Sequence, residues 1–219
     1  MTTRKRLTEA AALEQYRVSL ENVENQPHIA AIMAEFGFDS TVITQGKEVL
    51  ATAHTAYTVN QTEDDETTEA YQNFSDLKEQ VATAYVLHRK KAKVIFRKDA
   101  VTLIKLEIMG YAPRSYVSWL EKVKKFYAVA LGDTVIETEL TRLKVTSTDL
   151  QEAITNIAAL QDARAEYLKE KGESQNATKI KDAAFSNLED WMYEFYAVAK
   201  IALDDSPQLL EVLGKLVRS

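Results

Sequence analysis

Apolar residues recur every three or four positions along most of this chain. That spacing lines them up on one side of an α-helix and would scatter them over both faces of a strand. Val42, Gly46, Val49, Ala53 and Ala56 mark one stripe and predict a helix over about 40–60. Phe74, Leu77, Val81, Tyr85, His88, Ala92 and Ile95 form a second, longer stripe. Leu150, Ile154, Ile157 and Leu160 begin a third, and Phe185, Leu188, Met192, Phe195, Ala199 and Leu203 make a fourth. No run of period-two alternation stands between turn residues. The fold class this predicts is all-α, an antiparallel helical bundle.

Punctuation agrees with the periodicity. Only 6 Gly and 3 Pro occur in 219 residues, too few for a loop-rich β fold or a collagen-like chain. Asn25-Gln26-Pro27 predicts a break in the first helix, and Gly132-Asp133 predicts another with Asp133 as N-cap. Pro113 marks a helix start. Asp99 should cap a short helix ending before Gly110, and Ser206-Pro207 should cap one ending before Gly214.

These signals occur in pairs. Leu13-Glu14 matches Leu120-Glu121 and Ser40-Thr41 matches Ser147-Thr148, while Phe74-Ser75 matches Phe185-Ser186. Tyr85 matches Tyr196, and Leu106-Glu107 matches Leu210-Glu211. The spacing runs from 107 to 111 and back to 104, so this alignment needs gaps. It predicts two tandem helical units, 1–110 and 111–219, each a broken helix, two long helices and a short terminal helix. The polar stretches 60–69 and 169–178 read as loops between the long helices. The junction at 110–115, with Tyr111 and Ala112 followed by Tyr116, is apolar enough to fuse the units into one body.

The chemistry is mostly exclusion. The absence of Cys removes disulfides, thiolate metal sites and cysteine nucleophiles. A net charge of −6 gives no global attraction to nucleic acid or anionic lipid. The apolar runs are too short for a membrane span, and the basic start Met1–Arg6 leads into charged residues rather than a signal core. A cytoplasmic location and no membrane partner are expected. Glu-x-x-His, His-x-x-x-His, nucleophile-elbow and phosphate-loop patterns are absent, so no catalytic residue, metal or cofactor is expected.

Three groups remain. His88, on an apolar stripe, reads as a partly buried histidine hydrogen-bonded to a neighbouring helix, against a buried pH-sensitive group or ligand contact. Arg89, Lys90, Lys93 and Arg97 form a candidate anion patch, although a solvated face is the plainer reading and a nucleic-acid partner is disfavoured. Trp119, Tyr127, Trp191, Phe195 and Tyr196 are candidates for a pocket or an interaction surface, against a plain core reading. The expected function is a non-enzymatic scaffold or protein-interaction module, with a protein partner or self-association. The alternatives are a small-molecule carrier with an apolar aromatic pocket and, less favoured, an anion or nucleic-acid binder.

Overall fold

The computed structural model describes residues 7–111 and 113–214; the basic start Met1–Arg6 and Ala112 of the apolar junction lie outside the described residues. The chain is all-α. Its helices are α1 (Glu9–Asn25), α2 (Pro27–Glu35), α3 (Ser40–Ile95), α4 (Ala100–Lys105), α5 (Tyr116–Gly132), α6 (Thr134–Thr141), α7 (Ser147–Ala202) and α8 (Leu209–Val212). No strand occurs among the described residues.

Most boundaries follow from local chemistry. Thr8 caps α1 by accepting from the Ala11 amide, and Pro27 occupies the first turn of α2, where its missing N–H has no helical partner to lose. Asp99 accepts from the Thr102 amide at the start of α4, Ser115 from Ser118 at α5, and Asp133 from Val135 and Ile136 at α6. Ser206 behaves differently. Helix α8 begins only at Leu209, with Gln208 preceding it and no side-chain cap, so Ser206-Pro207 lies in the turn before the helix.

The expected loops at 60–69 and 169–178 are helical throughout, and α3 and α7 each run unbroken for 56 residues. Neither stretch contains Pro, and Gly172 alone costs a helix only about 1 kcal/mol. Their polar side chains also find partners across the helix pair. Asn60 Nδ2 donates to Thr178 Oγ1 at 3.2 Å, and Ser174 Oγ donates to Asp64 at 2.6 Å. Part of the polarity here serves hydrogen bonding between helices, and most of the other side chains face solvent.

The repeat is regular, with one spacing of 107. Glu9, Pro27 and Ser40 open α1, α2 and α3, and Tyr116, Thr134 and Ser147 open α5, α6 and α7. Four of the five left-handed backbone positions among the described residues pair at the same spacing, Gly37 (φ 88°) with Lys144 (φ 57°) and Glu107 (φ 50°) with Gly214 (φ 74°); Gly110 (φ 68°) is the fifth. At Gly37 the amide of Phe38 reaches back to the Met33 carbonyl, and at Lys144 the amide of Val145 reaches the Leu140 carbonyl, the same helix-ending pattern. The spacings of 111 and 104 each differ from 107 by one helical turn, which keeps the buried face in register and hides the slip.

Compactness divides the chain differently from the 1–110 and 111–219 repeats. Unit 1 comprises 1–65 with 172–219, and unit 2 comprises 66–171. Each unit therefore takes a broken helix and the first part of one long helix from one repeat. The last part of the other long helix and its short terminal helix come from the other repeat. In unit 1, Leu13, Leu20, Ile29, Met33 and Ile43 pack with Leu188, Met192, Phe195 and Leu213. In unit 2, Leu120, Tyr127, Ile136, Leu140 and Leu150 pack with Val81, Tyr85 and Leu106.

One contact in unit 1 fixes how closely α3 and α7 approach. A Cβ added at Gly46 would clash with the Trp191 ring, and that ring is stacked on Phe195 (centroids 5.6 Å, 15°) and edge-on to Phe38 (5.7 Å). The indole can yield only by giving up its contacts with Phe38 and Phe195. Gly46→Ala should therefore destabilise the protein by about 1–3 kcal/mol in urea unfolding, despite the better helix propensity of Ala, and adding Trp191→Leu should recover part of the loss. At Lys144 the sign reverses. Lys144→Gly relieves a left-handed non-glycine backbone and should raise stability by up to about 1 kcal/mol in the same measurement.

Candidate functional site

His88 is the buried histidine among the described residues; His28 and His54 are exposed. It projects from α3 into the core of unit 2, where its Nδ1 lies 3.1 Å from the Tyr127 hydroxyl of α5. Its place in the repeat, 107 residues before Phe195, is a core aromatic position, and Tyr127 stands where unit 1 has Leu20. Unit 2 thus fills with a polar pair the space that unit 1 fills with Phe and Leu. Burial pushes the imidazole below its ordinary range, with the Lys91 ammonium adding to the effect and the Asp149 carboxylate opposing it. Burial also holds the Tyr127 phenol protonated, helped by neighbouring Tyr85. A protonated phenol donating to a neutral imidazole satisfies both groups. Both groups are buried, His88 with 8% and Tyr127 with 0% of its surface exposed, and the pair packs within the core.

The basic candidates separate. Arg89 turns inward, and its Nη2 donates to the carbonyls of Ile108 (3.1 Å) and Gly110, tying the segment after α4 to α3. Lys93 is half-buried, and both desolvation and the Arg89 charge lower its pKa. Lys90 is exposed on the outer side of α3, and Arg97 is exposed in the turn that follows it. Arg89 therefore drops out of the anion patch, because position along a helix does not reveal which carbonyls a following segment presents.

The aromatic candidates also divide. Trp119 and Tyr127 belong to the core of unit 2, and Trp191, Phe195 and Tyr196 to that of unit 1. Trp119 packs on Tyr116, whose ring carries the Arg164 guanidinium 4.1 Å from its centroid. Phe195 and Tyr127 are fully buried. Tyr196 places its hydroxyl 2.6 Å from Ser19 Oγ, which lies 2.8 Å from the Leu213 carbonyl, so the two hydroxyls anchor the end of α8 to α1. Asn22 and Gln15 of α1 bond the adjoining carbonyls of Val212 and Gly214.

Open grooves exist elsewhere in unit 1. One of about 530 Å³ runs between α1 and α3, lined by Leu13, Leu20, Leu50 and Tyr57 with Arg17 and His54. Another of about 810 Å³ runs between α3 and α7, lined by Ala56, Val59, Ala177 and Ile180 with Glu63 and Glu173. Sequence reading missed both, because small residues on a helix flank carry no signal of what leaves them uncovered. None of the five aromatic candidates lines either groove. No described helix is long and apolar enough to cross a membrane. No family model, curated protein or solved structure matches the chain.

The His88 environment sets a pH dependence. Its folded pKa is depressed, so its contribution is fully present above the unfolded value near 6.5 and is lost as pH falls below it. Lowering pH from about 7.5 to about 5.5 should reduce the unfolding temperature. His88→Phe combined with Tyr127→Phe should flatten that dependence, and an unchanged slope in the double variant would assign the acid sensitivity to other groups.

Proposed function

We propose that the chain is a non-enzymatic scaffold or protein-interaction module that works through its helix surfaces. The groups best suited to chemistry or small-molecule binding, His88 and the large aromatics, are committed to packing within two cores. The observation that carries the reading is what remains outside. Large apolar side chains stand on the outer faces of the long helices, with Tyr193 79%, Val86 64%, Ile201 64% and Val94 57% exposed. A monomer gains nothing in water from that arrangement, whereas a partner surface does.

The test pairs association with ligand binding. The module reading expects complexes, with itself or with a second protein, that Val86→Ser and Ile201→Ser weaken at little cost in unfolding temperature. It also expects a metabolite panel to leave that temperature unchanged. A metabolite that raises it by several degrees at unchanged mass would overturn the reading in favour of a carrier.

A further inference from the structure

We infer that the chain associates head to tail with a second copy of itself, the outer face over 86–98 (the end of α3 and the turn after it) meeting the outer face over 193–205 (the end of α7 and the turn after it). The inference rests on the module reading above and names the partner. At the 107-residue spacing the two faces are equivalent pieces of the fold, each the last part of a long helix with the turn that follows it. Both carry exposed apolar groups at the same places, Val86 with Tyr193 and Val94 with Ile201. Their charges are opposite. Arg97-Lys98 in the turn after α3 corresponds to Asp204-Asp205 in the turn after α7, Lys90 corresponds to Ala197, and Leu87 to Glu194.

The imbalance extends through the units. Unit 1 holds 10 Lys and Arg against 18 Asp and Glu, a net of −8; unit 2 holds 17 against 15, a net of +2. Like faces repel and unlike faces attract, which disfavours a two-fold contact through either face and favours a heterologous one. Among the described residues, none of Lys90, Arg97, Lys98, Glu194, Asp204 and Asp205 takes part in an ion pair within the chain, so these charges are available to a neighbour. Lys93 and its counterpart Lys200 are the like-charged exception and sit beside the apolar line on each face. An anionic lipid surface or a nucleic acid would use Arg97 and Lys98 alone and give the acidic face nothing to do. A second copy uses both.

A heterologous contact leaves one face of each kind unpaired, so association continues beyond a pair unless it closes into a ring. Sedimentation of the full chain at rising concentration and low salt tests this, using Arg97→Asp with Lys98→Asp, and separately Asp204→Lys with Asp205→Lys. All four positions are exposed turn residues, and circular dichroism with the unfolding temperature confirms that each variant folds. The wild type should gain mass with concentration and lose it with salt. Each double variant alone should associate at least about tenfold more weakly, because its two faces then carry one sign. Mixing the two variants in equal amounts should restore association, since one presents two acidic turns and the other two basic ones. Wild type that stays monomeric throughout overturns the inference, as does recovery that fails on mixing. Association that survives both double variants overturns this interface and leaves the module reading standing. If Asp204→Lys with Asp205→Lys is without effect while anionic vesicles or RNA bind the wild type, the basic face serves that ligand and the inference falls.

Discussion

Two helices that do not stop are the constraint on which this architecture depends. An amphipathic helix of 56 residues presents its apolar stripe along about fifteen turns, and every turn must find cover. Helix propensity contributes little to such a length, so burial of the stripe has to hold it. The chain solves this with two cores, each taking the first part of one long helix and the last part of the other. Neither core can then be completed from a single repeat. Unit 1 draws Leu188, Met192 and Phe195 from the second repeat, and unit 2 draws Val81 and Tyr85 from the first.

Equivalent positions are filled differently, and the differences compensate locally. Where unit 1 pairs Gly46 with the bulk of Trp191, unit 2 has Ala153 and Ala84, trading one large and one absent side chain for two small ones. Ser19 and Tyr196, which bond the end of α8 in unit 1, correspond to Phe126 and Arg89 in unit 2. There Phe126 is fully buried and Arg89 reaches the carbonyls of Ile108 and Gly110 from α3. The segment that follows a long helix is held to its core in both units, by hydroxyls and amides in one and a guanidinium in the other. Volume and satisfied polar groups are what each core demands, and several side-chain sets meet that demand.

The legible part of the fold was the part that periodicity controls. The four stripes, the breaks at Pro27 and Asp133 and the all-α class follow from spacing and capping alone, and so does the hydrogen-bonded burial of His88. Register was less visible because a slip of one turn leaves the same face inward, so Phe74 aligns with Phe185 as readily as Val81 with Leu188. The polar stretches at 60–69 and 169–178 resembled loops because sequence shows polarity and hides the partner: Asn60 and Thr178 lie 118 residues apart. The candidate site was least legible. Trp191 and Tyr127 announce large buried rings, but nothing local says that they enter different cores.

The outer faces obey a different logic from the inner ones. A buried position answers to shape, so the repeat shows Leu13 with Leu120, Ile29 with Ile136 and Leu106 with Leu213, all buried. A solvated position answers only to hydration, and Arg97 and Asp204 satisfy that equally well. Folding sets only a weak preference on those turns, for cations beside the carbonyl end of the preceding helix, and draws no benefit from making them opposite. Nor does folding reward Val94 and Ile201 for standing in water, where each forgoes the roughly 1.5–3 kcal/mol that burying such a side chain contributes. The association proposed above gives these features, repeated at one spacing and opposed in sign, a physical rationale that folding does not. The turns after α3 and α7 carry opposite charges at equivalent positions, which is the complementarity the proposed association uses.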